Sequence, residues 1–365
     1  PSVWINVTVA NYELEPIGPL TGIYINNTRQ TWLFSKTAKT YKGYPMWESN
    51  NTYTLALDGK KWIVYVNVTD KSWPSNHTSQ ITVYIERDYV PPYEIGFTPP
   101  AKPICGGLII YGLYAKDLAG VLDYKIYVNG SYLTSIKHAN LIKTIWTAEN
   151  TFNNIAVLNL TSYGGKYVNI TVSARDYGPN EGGKIVVYTG VIPTGRWYPI
   201  ELYKGWNLIS FPLIPANTTT ADIYSLILKQ GPAGVTVTYA YDQTTDRWIY
   251  NPDKLTDGFG YWIYMKAYDV LIVQGRISPE PPAPPTTYMY TKGWVLAGYK
   301  SLKARNMIDY LASLEANSYF RYIYTWDAAL QNWRMIDTKS AETLSPGQAF
   351  WIYMYTDQAL IPPIP

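Results

Sequence analysis

One cysteine, Cys105, stands in a chain of 365 residues, so no disulfide within the chain can staple it. Histidine is almost as scarce, with only His77 and His138. His77 lies inside an Asn-His-Thr triplet and His138 in a Lys/Asn-rich loop. No HExxH, GxSxG, P-loop, CxxC or strand-linked GxGxxG occurs. Cys105, beside Gly106 and Gly107 at the start of a strand pattern, reads as a buried inert thiol. Charged residues make up only 16% and the net charge is +3. Without a Lys/Arg run, that balance excludes the basic footprint of a nucleic-acid binder. No apolar run reaches the ~18 residues a spanning helix needs. No basic-then-apolar leader precedes Pro1, so a mature or trimmed start is expected. The acidic residues are thinly spread and fall mostly in turns. The expectation is therefore no enzyme and no cofactor.

Aromatic residues are plentiful instead, 36 Tyr and 14 Trp, a composition that favours β-structure. Asn-x-Ser/Thr triplets occur at Asn6, Asn26, Asn50, Asn67, Asn76, Asn129, Asn159, Asn169 and Asn217. So many acceptors point to N-linked glycans and a secreted protein. Secretion without disulfides suits a prokaryotic cell surface, and dense N-glycosylation suits an archaeon. All nine triplets lie at or before Asn217, so the glycosylated part is expected to face solvent while the rest makes more of the subunit contacts.

The second half repeats itself. "YKGWNLISFPL" (203–213) returns as "TKGWVLAGYKSL" (291–302), "ADIYSLILKQ" (221–230) as "ARNMIDYLASLEA" (304–316), and "TYAYDQTTDRWIY" (238–250) as "RYIYTWDAALQNWRMI" (321–336). Last, "LTDGFGYWIYM" (255–265) returns as "LSPGQAFWIYM" (344–354). Each unit reads as strands, one short helix, a hairpin with a polar turn and a closing strand. The helices are expected over 221–230, with Ile223, Leu226 and Ile227 on one face, and over 304–316, with Ile308, Leu311 and Ala312. "GYK" (298–300) in place of "SFP" (210–212) reads as drift in a structural repeat. The proline-rich "SPEPPAPPTT" (278–287) separates the units as a stiff spacer.

The first half holds two weaker echoes: "WINVTVANYELEPIGPLTGIYINNT" (4–28) with "LIIYGLYAKDLAGVLDYKIYVNGS" (108–131), and "WIVYVNVTDKSWPSNHTSQITVYI" (62–85) with "YVNITVSARDYGPNEGGKIVVY" (167–188). Many short strands broken by turn residues indicate β-sandwiches. "AKDLAGV" before a strand ending in "YVNG", followed by "VSARDYGPNEG", resembles the immunoglobulin-like and fibronectin-like domains of surface proteins. The likeness covers residues 93–195 well and 1–90 loosely, without the cysteine pair of antibody domains; it implies a fold and no activity. The paired repeats resemble the "GWNLISxP…GYWIY" modules appended to secreted bacterial and archaeal surface proteins and hydrolases. The expected fold class is mainly β, with tandem immunoglobulin-like sandwiches (1–90 and 91–195), then two β-rich modules each with one helix (196–277 and 288–365), joined by the linker 278–287.

Three binding chemistries remain. Asp117, Asp123, Asp176 and Glu181 fall in loops of the second sandwich and are calcium candidates, although turn formation explains them more simply. Tryptophans at matched repeat positions (Trp206 with Trp294, Trp248 with Trp333, Trp262 with Trp351) could stack sugars, but their repetition reads as core. Trp4, Trp32, Trp47, Trp73, Trp146 and Trp197 have no counterpart and are interface candidates.

The opening strand, with Val3, Ile5, Val7 and Val9 on one face, begins almost at the first residue. The first sandwich is short of the strand that "YEIGFTPPAKPICGG" (93–107) can supply in the second. A strand and a vacancy together allow donor-strand exchange, head to tail, an architecture that resembles archaeal threads and chaperone-usher pili. The expectation is a homopolymeric extracellular filament subunit at the cell surface. The alternatives are an S-layer or adhesive, glycan-binding surface protein, and the accessory tail of a secreted hydrolase.

Overall fold

The computed structural model describes residues 90–363 except 118, 119, 179, 280–285 and 316; before residue 90 it describes the backbone of the strands. The chain is mainly β, built from antiparallel sheets, with three short α-helices among the described residues. None of these helices is long and apolar enough to cross a membrane. The chain divides into two compact units. One comprises Pro1–Pro91 with Asp117–Gly120 and Asp176–Glu181, and the other comprises Pro92–Lys116, Val121–Arg175 and Gly182–Pro365.

In the first unit, the hairpin Gly22–Ile25/Thr28–Gln30 joins the hairpin Lys61–Thr69/Thr78–Glu86 in one four-stranded sheet. In the second unit, Val121–Val128/Ser131–Lys137 and Tyr167–Asp176/Ile185–Val191 make a sheet of the same order, so the sequence echo is an echo of topology. The companion sheets differ. Gly107–Lys116 lies between Tyr93–Ile104 and Ile155–Asn159. Its counterpart Asn6–Thr8 pairs with Tyr44–Ser49, and among the described strands nothing lies on its other edge. Ser2–Val3 pairs with Tyr53–Thr54. The opening strand thus pairs inside its own unit. Ile5 and Val9, and the side chains of Val3 and Val7, lie outside the described residues.

Each repeat builds one four-stranded sheet in the same order. The closing strand Tyr261–Met265 inserts between Gly205–Ile209 and Val235–Asp242, with Arg247–Tyr250 at the edge. In the second copy Ala349–Met354 inserts between Gly293–Gly298 and Tyr322–Asp327, with Asn332–Asp337 at the edge. One face of each sheet is aliphatic and buried. Ile209, Ile263 and Met265 join a core that also takes Ile104, Ile109 and Phe152 from the sandwich, and Val295, Ile352 and Met354 join the core of the second repeat.

The helices are shorter than expected, Thr220–Tyr224 and Met307–Tyr310. Both start on side-chain caps, Thr219 accepting from the Asp222 N–H and Asn306 from the Asp309 N–H, as such residues do at helix N-termini. The first ends early because the chain is drawn onto a strand: the Leu228 N–H donates to the Val270 carbonyl, and those of Lys229 and Gln230 donate to the buried carboxylate of Asp269. Ile223, Leu226 and Ile227 are buried as expected. In the second copy the buried set is Met307, Tyr310, Leu311 and Leu314, while Ile308 is exposed; the apolar face is rotated from the expected one.

Candidate functional site

The other face of each repeat sheet is aromatic. Strict alternation puts Trp206, Trp262, Tyr264, Tyr239, Tyr241, Trp248 and Tyr250 on one side of the first sheet. The matched positions of the second are Trp294, Trp351, Tyr353, Tyr324, Trp326, Trp333 and Met335. The two aromatic faces meet and then open to solvent, leaving a cleft of about 820 Å³ lined by Tyr241, Trp248, Trp262, Trp294, Tyr324, Trp333 and Trp351. Trp248 is 52% exposed, Trp294 42% and Trp333 54%. The expectation that the repeated tryptophans are core is thereby corrected: five of the six wall an open site, and Trp206 is partly buried.

Contacts between the repeats are reciprocal, as across a two-fold axis. Trp262 meets Trp326 at 5.4 Å between ring centroids, and the counterpart pair Trp351–Tyr241 meets at 4.9 Å. Trp262 meets Trp333 at 5.5 Å, and Trp351 meets Trp248 at 5.7 Å. The backbone obeys the same symmetry, the Ser210 N–H donating to the Gly347 carbonyl and the Gly298 N–H to that of Gly258, both at 2.9 Å. Leu208, Leu296 and Ala349 form the dry floor of this contact. Most rings meet edge to face, the arrangement their quadrupoles favour, worth about 0.5–1.5 kcal/mol per pair beyond burial.

The symmetry is broken at defined places. Gln331 folds against the Trp206 backbone, accepting from its N–H at 2.9 Å and donating to its carbonyl at 2.8 Å. A side chain on Gly205, at φ +98°, would strike Gln331. Ser210 accepts from the Tyr299 N–H at 2.9 Å and donates to the Gln348 carbonyl at 2.5 Å. Its counterpart is Gly298, where a Cβ would come within 2.7 Å of the Phe259 backbone. Buried Lys300 stands where the first copy has Pro212, and pairs with Asp257 at 2.9 Å. "GYK" is therefore not drift. Its three residues meet the first copy at Phe259, Ser210 and Asp257.

Among the described residues the cleft lining carries no charged side chain. At its rim Tyr241 donates to Asp246, and its hydroxyl is pushed up to about 12, by burial first and then by that carboxylate. Of the indole N–H groups, that of Trp326 donates to the Trp206 carbonyl at 2.9 Å. Those of the five lining tryptophans make no hydrogen bond to the described residues.

The remaining sequence candidates are scattered. Asp123 is held by Arg175 at 2.5 Å, and Asp176 accepts from the Asn180 side chain at 2.7 Å. Asp117 and Glu181 also have partners. Among the described residues no group of three or more His, Cys, Asp or Glu could hold a metal ion. His138 lies 3.2 Å from the Tyr124 hydroxyl and burial lowers its pKa. Cys105 is half-buried rather than buried, its thiol pKa raised chiefly by desolvation. Trp146 and Trp197 are partly buried and pack against the shared core. Trp4, Trp32, Trp47 and Trp73 have side chains outside the described residues. Asn129, Asn159, Asn169 and Asn217 are all exposed. The side-chain oxygens of Asn159 and Asn217 accept from the N–H of Thr161 and Thr219, the third residue of each triplet. The side chains of Asn6, Asn26, Asn50, Asn67 and Asn76 lie outside the described residues.

In comparison with known proteins, no family model matches the chain, and no curated protein matches it as a relative.

Proposed function

We propose that the chain is a structural subunit of an extracellular, N-glycosylated homopolymer at an archaeal cell surface, and that the aromatic cleft is its main docking site. The cleft carries this reading. An open cleft walled by exposed aromatic side chains is a common form of interaction site, and Trp and Tyr are enriched at interfaces because they bury much area at small entropic cost. The glycan acceptors support it. None of the nine triplets lies on a cleft strand, and a bulky, solvated glycan there would keep partners away.

A second contact follows from the pairing of the opening strand with Tyr44–Ser49 and Tyr53–Thr54. Within residues 2–12, Ser2–Val3 and Asn6–Thr8 would pair in a neighbour as they pair at home, so the pairing within one copy is the closed form of donor-strand exchange. An adhesive, glycan-binding surface protein is the competing reading of the same cleft.

Sedimentation velocity over a range of concentrations tests the proposal. The wild-type chain is expected to form large species, and the double variant Trp248→Ser/Trp333→Ser to stay smaller at every concentration. Identical profiles would sink the cleft as a docking site.

A further inference from the structure

The cleft lining is chemically one-sided. Among the described residues it offers the indole N–H groups of five tryptophans, none of them bonded to a described residue, and its side-chain oxygens are the hydroxyls of Tyr241 and Tyr324, of which Tyr241 is already engaged with Asp246. It is also uncharged. A sugar seated there would bring a rim of hydroxyl donors to a site with almost nothing to accept them, and each buried, unmatched donor costs about 1–3 kcal/mol. A proline-rich segment has the opposite chemistry. Proline supplies carbonyl acceptors and no N–H, and its rings lie flat on Trp and Tyr faces, the mode in which aromatic grooves hold polyproline II ligands.

The chain itself carries such a sequence. In "SPEPPAPPTT" (278–287) proline occupies five of ten positions. A polyproline II helix has three residues per turn, so Pro279, Pro282 and Pro285 share one edge, and Pro281 and Pro284 the next. Two adjacent ridges of rings suit a cleft with two aromatic walls. The flanking residues Ser278 and Thr287 are exposed. The cleft is also continuous with the contact between the repeats, since Trp262 and Trp351 belong to both, so an occupant extends an interface already packed.

We infer that the cleft receives the proline-rich segment, residues 278–287, of a second copy of this chain, bound as a polyproline II helix. This rests on the assembly reading above and names its contact. The indole N–H groups donate to proline carbonyls, and the rings of Trp248, Trp294 and Trp333 cover the proline faces.

The test is titration of the full chain, followed by tryptophan fluorescence, with a synthetic SPEPPAPPTT peptide and with the same peptide carrying alanine for every proline. A saturable response to the first is expected. Affinity should be at least about tenfold weaker for the alanine peptide and for the Trp248→Ser/Trp333→Ser chain, whose folding is checked by circular dichroism. Excess proline peptide should also reduce the size of assemblies. No saturable response, or an equal response to the alanine peptide, overturns the inference. A response to chitobiose with none to the peptide assigns the cleft to sugars instead. Assemblies that form without any peptide binding refute this occupant and leave the assembly reading standing. Peptide binding by a chain that stays monomeric refutes both.

Discussion

The Nζ of Lys300 lies 2.9 Å from Asp257 Oδ2, with both side chains nearly buried, while the counterpart positions in the opposite copies are Pro212 and Pro346. Two repeats that meet through reciprocal contacts could in principle each pair with a copy of itself. The ion pair forms only when the second repeat's Lys300 meets the first repeat's Asp257. A like-with-like pairing would bury one charge against proline, a cost of several kcal/mol. The charge pair therefore acts as negative selection on partners, and "GYK" is where that selection is encoded.

Replacing Lys300 with Met leaves Asp257 without its cation, although the Tyr288 hydroxyl still donates to it at 2.5 Å. The expected loss is about 3–5 kcal/mol, the range for breaking a buried pair, read as a lower urea midpoint. The double variant Lys300→Met/Asp257→Leu should recover most of it. A double variant as unstable as the single would mean that the site depends on charge rather than on matching.

Gly298→Ala places a methyl group against the Phe259 backbone, and rigid backbone cannot move aside cheaply. A loss of about 1–3 kcal/mol is expected, the usual cost of overpacking. The cleft should loosen with it, seen as a red shift of tryptophan emission. An unchanged melting temperature would show that the two repeats are not pressed together there.

Alkali should unfold the second unit through its tyrosines. Burial raises the hydroxyl pKa of Tyr124 to about 12 and raises those of Tyr224 and Tyr310 further. A group with a raised folded pKa stabilises fully below its unfolded value near 10, and that contribution is lost as pH climbs through the folded value. Stability should therefore be flat in these groups up to about pH 10 and fall above it. Absorbance at the phenolate band should show a late fraction that appears together with unfolding. Complete ionisation while the fold is intact would contradict the burial of these hydroxyls.

Glycopeptide mapping of native protein should find Asn129, Asn159, Asn169 and Asn217 modified, because all four are exposed. If most are bare, the extracellular reading loses its main sequence support.

Much of this fold could be read in the chain. The near-constant offset of four motifs gave the paired repeats, and Gly, Asn and Asp turns gave the hairpins. The helix ends could not be read, because Leu228 leaves its helix for a bond to Val270, a partner 42 positions away that no local pattern reveals. The tryptophans were misplaced for a different reason. Both faces of "YWIYM" and "FWIYM" are apolar, so the period of two did not separate inside from outside. The usable signal was finer. Ile263 and Met265 alternate with Trp262 and Tyr264, and Ile352 and Met354 alternate with Trp351 and Tyr353, which sorts aliphatic from aromatic. The aliphatic face is the core, and the aromatic face is the site.

The most direct measurement on the assembly reading is electron microscopy of the purified full chain with nothing added. The account predicts threads or sheets of regular repeat, lost in the Trp248→Ser/Trp333→Ser variant. A field of separate particles, each one chain, at every concentration imaged would contradict it.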